Sequence, residues 1–556
     1  MINDTPRLHR WILLLVVASC FLGIGNRGLF VPDEPREAAI LLEMSQGRDF
    51  VVPHLAHEPF VEKPPLYYAV GATLYDVLGA SLGVEAVAVL CSVLFGLGAL
   101  LSVAVLARRW LDPDRAWLAV VLYALSTAFL EHSHYIRSDI SLACMVAAAV
   151  ASFSEAYAGG RRGALIAGGA FTGLALLAKG LLGPAMIFPA WAVLFVRSLR
   201  GKEARQPLAS LAMWHLGALL SFLAFCLPWL IAFYVREDAL FREWLIDNHF
   251  KRAAGTAGLG HDGGGLQPWF YLYTALGDTL PWTPLLGAWP IVALRARRSG
   301  SSRPIDSFLC IWMAGVLILL TASSTKRNLY LLPLLPAFAL AAASAWPSSL
   351  SPRLQRVLRG TPLLALVVSL TVFLAPLALG PLVRPAPRWR IFLPDAGSVA
   401  HLAAGFLACG AGILAALQRR MEARSSAIGA ALLGNALVLC STLPAKAAYL
   451  DPLPQIAKLR EKLSTDAELA YASYGLGEIQ RGWLYLYGFD ALSSVSLDRA
   501  RAVLRGNDPR CRGLLVGRKS SLEELGTELA PILEINLDQE KKGNSALYVL
   551  VPPGSR

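Results

Sequence analysis

Two short stretches carry acids and bases at a spacing that could do chemistry. They are Pro32-Asp33-Glu34-Pro35-Arg36 and, about thirty residues on, Glu62-Lys63-Pro64-Pro65-Leu66-Tyr67-Tyr68. Both follow the first membrane-length apolar run, and charged side chains kept at a membrane face are costly and usually functional. Asp33 is the first candidate for a catalytic carboxylate, able to accept a proton from an attacking hydroxyl or to hold a reacting group. A helix N-cap is its plainer reading, and the two are compatible. Asp139, after Tyr135-Ile136-Arg137-Ser138, is a second acid expected on the same face. Glu34, Arg36 and Arg137 are further site candidates, Arg137 also reading as a snorkelling anchor.

The cations point to an anionic partner. Prolines fix the backbone around Lys63, so its ammonium is aimed and suits a phosphate oxygen; a boundary lysine touching lipid headgroups is the alternative. Asp247-Asn248-His249-Phe250-Lys251-Arg252 joins acid, imidazole and cations. Either it is surface charge, or His249 and Arg252 close on a phosphate. Lys326 and Arg327, with the Tyr330 hydroxyl just beyond, suit a phosphate leaving group. Lys179 is a weaker candidate that reads equally as a snorkelling lysine. Glu62 could hold Lys63 or, with His249, a divalent metal, although no regular ligand spacing supports the metal. No GxGxxG or Walker loop is present.

The elements that must position these residues are membrane helices. In 556 residues, 55% are hydrophobic and only 16% charged, a composition outside that of an ordinary soluble core. The net charge of +12 lies in short clusters between apolar runs, which argues against a nucleic-acid partner. About thirteen runs are long enough to span. They lie near 11–30, 84–107, 115–131, 138–158, 163–181, 182–198, 208–234, 270–294, 305–322, 328–346, 360–383, 397–417 and 425–445. Residues 65–79 are apolar but short, as in an interfacial helix. If that helix lies flat, Arg108-Arg109, Arg161-Arg162, the Arg197–Arg205 and Arg295–Arg303 clusters and Arg353–Arg359 all face the cytoplasm, satisfying the positive-inside rule. The N-terminus is then inside and the C-terminus outside, and the candidate residues gather on the outer face in loops 31–83, 132–137, 235–269 and 323–327.

The first outer loop is expected to hold two helices, Glu34–Gln46 capped by Asp33 and Pro65–Gly79 started by proline. Gly255–Gly265 reads as a mobile loop that could order over a ligand. Residues 1–445 form the membrane part. Residues 446–556 read as a small outer α/β domain with strands at Leu469–Ala472, Gly513–Val516, Ile532–Ile535 and Ala546–Val551. Its Tyr471, Tyr474, Trp483, Tyr485 and Tyr487 are core or line an acceptor path. The eight cysteines have no ligand spacing and read as small core residues.

These pieces, in this order, resemble the membrane glycosyltransferases of the GT-C class, most closely the bacterial branch holding the aminoarabinose (ArnT-like) transferases and the protein mannosyltransferases. The matching stretches are PDEPREA at 32–38, FVEKPPLYY at 60–68, YIRSD at 135–139, LAKG at 177–180, NHFKR at 248–252 and STKRNLYLLPLLP at 324–336. The resemblance implies an α-helical polytopic GT-C fold in a bacterial inner membrane. It implies a polyprenyl-phosphate (undecaprenyl-phosphate) sugar donor, inversion at the anomeric carbon, and a lipid, glycan or protein acceptor. By position it makes Asp33 the catalytic aspartate and Asp139 the second acid, and it puts Lys63, Arg252, Lys326 and Tyr330 around the lipid phosphate. The sequence departs at Glu37, where the aminoarabinose transferases usually carry tyrosine. A transporter or flippase of lipid-linked sugars is the alternative, but its charges should extend toward the membrane centre and its halves should repeat.

Overall fold

Apolar length and charged flanks set the helices of the computed structural model. It describes residues 5–256, 267–347, 351–379, 393–463, 470–489 and 494–552, apart from 26, 31, 201–207, 268, 419, 420, 509, 518, 527–530 and 538–545. The membrane part begins with α1 (Thr5–Ser19), α2 (Glu34–Gly47) and α3 (Leu66–Trp110), then α4 (Pro113–Ala124), α5 (Thr127–His134) and α6 (Asp139–Tyr157). It continues through α7 (Ala164–Lys179), α8 (Leu182–Arg200) and α9 (Leu208–Arg236). Further helices cover Phe270–Asp278, Thr283–Arg298, Pro304–Ala322, Leu335–Ala345, Pro352–Leu379, Val399–Leu417 and Ala423–Leu437. Among the described residues nine helices are long and apolar enough to cross a membrane, ten if the bent pair α4 and α5 counts as one. The other expected spans are helical but shorter or broken. α1 stops at Ser19, and α4 and α5 meet at 55° across an extended Ser126. The run 270–294 is interrupted before Thr283 at Pro281, which lacks the N–H a continuous helix needs.

The short segment before the second span is separated from it as its length predicts. α3 breaks at Gly83, whose φ of 77° and ψ of 166° fall outside any helix and need a residue without Cβ. α6 packs between α3, α7 and α8, and is buried along most of its length. The Trp117 indole donates to the His9 carbonyl at 3.1 Å, fixing the chain's beginning to the start of α4. That contact lies at the far end of the bundle from α2.

After residue 450 the chain forms a four-stranded sheet, β3 (Ala470–Tyr474), β4 (Cys511–Val516), β5 (Leu533–Asn536) and β6 (Ala546–Leu550), in the order β3-β4-β6-β5. β3 and β4 run parallel, the other pairs antiparallel. These strands overlap the four runs named from sequence. A two-residue hairpin, β1 (His54–Leu55) with β2 (Glu58–Pro59), follows α2 in the first loop. The C-terminal unit rests on that loop through its helix Glu478–Leu486, which packs against α2. Gly482 makes this possible, because a Cβ there would sit 2.8 Å from the Arg36 amide nitrogen. All eight cysteines are free. The loop expected at Gly255–Gly265 lies outside the described residues beyond Thr256.

Candidate active site at one end of the bundle

Proline in its first turn starts α2, and Glu34 and Glu37 sit there where the helix dipole favours anions. Asp33 precedes the helix, but its side chain makes no capping bond. The N-cap reading is therefore corrected. The carboxylate is buried and bonded instead to two guanidiniums, Arg36 Nη2 at 2.9 Å and Arg137 Nη2. Arg36 reaches Asp33 because residues three apart share a helix face.

Arg36 is the centre of the cluster. Besides Asp33 it bonds Glu37 at 2.9 Å and Glu478 of the C-terminal unit at 2.5 Å, and it lies 3.8 Å from Glu62. Its pKa rises: burial works against the charge, but Glu37, Glu62 and Glu478 outweigh it. Glu37 also accepts from the Lys63 ammonium and, at 2.8 Å, from the Tyr68 hydroxyl. Burial alone would raise the Glu37 carboxyl, yet Lys63 and Arg36 hold it below the usual carboxylate range. Glu37 is thus the residue that fixes Lys63.

Glu34 has another job. It takes a bidentate pair from Arg27 at 2.7 and 2.8 Å and accepts the amides of Phe30 at 2.6 Å and Ile136 at 2.9 Å. Fully engaged in this way, it ties the start of α2 to the segment that carries Arg137 and is not available to a ligand.

Asp139, the first residue of α6, pairs with Lys179 at the end of α7 and lies 3.9 Å from Arg137 Nε. Arg137 therefore stands between both candidate acids, and the snorkelling reading does not describe it. The Lys179 ammonium is also 5.0 Å from the centre of the Tyr330 ring.

The third group closes the other side. A π-helical stretch, Glu243–Lys251, leads to Arg252, whose Nη2 donates to Glu62 at 2.8 Å. Arg36, Lys63 and Arg252 hold the Glu62 carboxyl far below its ordinary range although burial opposes them. The Ser324 and Thr325 hydroxyls donate to the Arg252 carbonyl at 3.0 and 3.2 Å, joining this loop to the segment that carries Tyr330. Glu62, Lys179, His249, Arg252 and Tyr330 line one cleft of about 420 Å³ walled by Leu181 and Leu319. Among the described residues the Arg252 Nε is a buried donor with no protein partner, and it belongs to this cleft.

Two expectations change. Lys326 donates to the carbonyls of Leu320 at 3.2 Å, Thr321 at 2.9 Å and Ser323, so its ammonium satisfies the end of helix Pro304–Ala322 before any ligand. Arg327 follows in extended backbone, 140° away from zero in φ on the negative side, and precedes the turn that holds Tyr330. The metal pairing of Glu62 with His249 finds no support in the donor set. Glu62 is engaged by two arginines, His249 bonds the Trp244 carbonyl at 2.8 Å, and among the described residues no third ligand gathers with them. Burial also lowers the His249 pKa.

Sequence reading underrated Lys179 and gave no role to Glu37, Tyr68, Arg27 or Glu478. The LAKG stretch was the signal for Lys179. Glu478 carried none, since nothing local links residue 478 to residue 36.

A bundle of membrane helices with an acid at the head of its first loop and charged loops closing one end is the GT-C fold. A solved structure of ArnT from Cupriavidus metallidurans bound to undecaprenyl phosphate has this fold; it superposes with a TM-score of 0.69 at 21% identity over 100% of this chain and 99% of that one. Its apo state gives 0.67 at the same identity over 97% of each. A family profile described as dolichyl-phosphate-mannose-protein mannosyltransferase matches residues 62–231. An undecaprenyl phosphate-alpha-4-amino-4-deoxy-L-arabinose arabinosyl transferase of Pseudomonas paraeruginosa is 30% identical over 377 residues, covering 66% of this chain and 65% of that protein. A Pseudomonas aeruginosa relative of the same description is 30% identical over the same shares. The chain has the GT-C fold and is similar to the ArnT-like transferases, residues 62–231 match the protein-mannosyltransferase profile, and the chain spans 65% of the length of these relatives, just under two thirds.

Proposed function

We propose that this multi-pass bacterial inner-membrane protein is an inverting glycosyltransferase. It takes a sugar from an undecaprenyl-phosphate donor and moves it to a hydroxyl or amine of an envelope lipid, glycan or protein. The observation that carries this reading is the pairing of Asp33 with Arg36 and Arg137 beside a cleft lined by Lys179, Arg252 and Tyr330. The relatives named for undecaprenyl-phosphate-linked sugars, and the related structure bound to undecaprenyl phosphate, support the same donor class.

The chemistry follows from charge. An acceptor hydroxyl attacks the anomeric carbon on the face opposite the phosphate, the bond from that carbon to the phosphate oxygen breaks, and the hydroxyl proton passes to Asp33. The departing lipid phosphate gains negative charge as the bond lengthens. Cations already fixed around the site stabilise it without reorganising at that moment. Arg252 has an unpaired Nε to offer. Arg137, held between Asp33 and Asp139, can turn toward the phosphate, and in doing so it leaves Asp33 less neutralised and a better base. Lys63, held by Glu37, and Arg327 add positive charge around the site, Lys326 adds it from the end of its helix, and Tyr330 offers a neutral hydroxyl.

In this reading the site faces the periplasm, with the N-terminus cytoplasmic and the C-terminal unit periplasmic. The arginine clusters at the opposite end favour that orientation. Mass spectrometry of envelope lipids and glycoproteins from a deletion strain and its Asp33→Asn complement tests the function. A molecule that loses one sugar in both, and regains it with the wild-type chain, identifies the acceptor; an unchanged envelope in both overturns the reading.

A further inference from the structure

A second charged cleft, larger than that of the candidate active site, lies among the described residues at the opposite end of the bundle. It is formed by the last residues of α3, α6 and α8 and the starts of α4 and helix Pro304–Ala322, and is an open cleft of about 720 Å³. α6 has its Asp139 end in the candidate site and its Tyr157 end here, so about 28 Å of helix separates the two. Arg109, Arg115, Arg197 and Arg303 line it, against the carboxylates of Asp112 and Asp306. Four guanidiniums facing two carboxylates leave the cleft cationic.

The arginines are held in place. Arg303 bonds Asp306 at 2.8 and 2.9 Å and the Ser344 carbonyl at 2.9 Å. Arg197 donates to the Pro304 carbonyl at 2.8 Å, and Arg109 to the Ala158 carbonyl. Trp110 makes a rigid apolar wall, stacked on Phe308 at 4.9 Å and 10°. Helices that wall the cleft expose Phe188, Val196, Ile311 and Ile318 on their flanks. Positive-inside anchoring needs only charge near a headgroup. It does not need four arginines from four helix ends around one cleft, each pinned by a carbonyl or a carboxylate. Guanidiniums suit the oxygens of a phosphodiester, and apolar helix flanks suit acyl chains beside it.

We propose that this cleft binds the headgroup of an anionic glycerophospholipid from the membrane leaflet at that end. The site is separate from the donor site and does not depend on the transferase reading.

Full-length protein is reconstituted with phosphatidylglycerol and phosphatidylcholine in equal amounts, and retained lipid is counted by native mass spectrometry. Phosphatidylglycerol is expected to be retained in preference, and Arg115→Glu combined with Arg197→Gln to weaken its retention about tenfold. Arg353→Glu, in a different basic cluster at the same end, is expected to leave retention unchanged. Arg115→Lys with native Arg197 keeps the charge and is expected to retain the lipid, which separates loss of binding from loss of fold. Equal retention of the two lipids overturns the proposal, as does unchanged retention in the double variant or equal loss with Arg353→Glu. Thermal protection by inorganic phosphate equal to that by phosphatidylglycerol vesicles would identify a free-anion site and overturn the lipid assignment.

Discussion

Arg36 and Glu478 are 442 residues apart in sequence, yet their side chains form an ion pair at 2.5 Å. The same guanidinium holds Asp33 at 2.9 Å. A carboxylate of the C-terminal unit is therefore one side chain removed from the proposed catalytic acid. Arg481, bonded to Glu58, and Tyr485, bonded to Gln46 at 2.7 Å, clamp the same helix onto the first loop.

Glu478→Gln is expected to lower turnover several-fold while leaving the melting temperature nearly unchanged. Glu478 is 44% exposed, so the pair contributes little to stability, about 1 kcal/mol at most. Steady-state kinetics with the purified chain checks this. A kcat equal to wild type would remove the C-terminal unit from the positioning of Arg36.

Asp33→Asn keeps the volume and removes the base. Transfer should fall by about 10²–10⁴ in rate, the usual worth of a positioned acid or base. Both arginines lose a charged partner, so the melting point is measured alongside turnover. Wild-type rates from a folded variant would sink the assignment.

Arg252→Ala should weaken donor binding about tenfold or more, because a charge-assisted contact is lost. Lys326→Ala should weaken it less, since that ammonium already serves three carbonyls. Titration with undecaprenyl-phosphate sugar in nanodiscs orders the two. The reverse order would show that Lys326 leaves its helix end to meet the phosphate.

Asp139 and Lys179 form a buried pair, and removing one member strands the other. Lys179→Met is expected to cost about 3–5 kcal/mol, and the double variant Asp139→Asn with Lys179→Met clearly less. Chemical denaturation in detergent gives the cycle. A double variant destabilised by the sum of the two single variants would mean that the two charges are not coupled.

Glu37 and Glu62 have pKa values below the ordinary carboxylate range, so their folded state binds fewer protons than the unfolded state. Their contribution to stability is fully present above the unfolded value of about 4.3. It is lost progressively as pH falls below that toward the folded values. The part of the melting temperature due to these two carboxylates should therefore hold down to about pH 5 and then decline, while His249, whose pKa burial lowers, removes some stability from about pH 6.5 downward. Glu62→Gln should flatten that decline. A melting curve that falls mainly between pH 7 and 5 would point to histidines instead.

Much of the fold was legible because it is local. Apolar length marked α6, α8 and α9, and the shortness of the run 65–79 set the interfacial helix apart from the second span, although the break at Gly83 itself was not foreseen. Where the chain bends inside a continuous apolar run, as at Ser126 and again before Thr283, hydropathy carries no signal. The cap on Asp33 was a sound local expectation that lost to Arg137, a competitor visible only once α2 and α6 are side by side. Lys326 was read from its type and its place outside, and its nearest acceptors proved to be the carbonyls just before it.

By itself the sequence determined that this chain lives in a membrane, where most of its long apolar helices lie, and which loops carry acids and cations. Those properties depend on the composition of consecutive residues and on the cost of burying charge in lipid. Only the tertiary structure decided which charge meets which: Asp33 with Arg137, Asp139 with Lys179, Glu62 with Arg252, Arg36 with Glu478. Ion pairing falls off within a few ångströms, so the partner of a side chain is set by how helices pack and not by its neighbours in sequence.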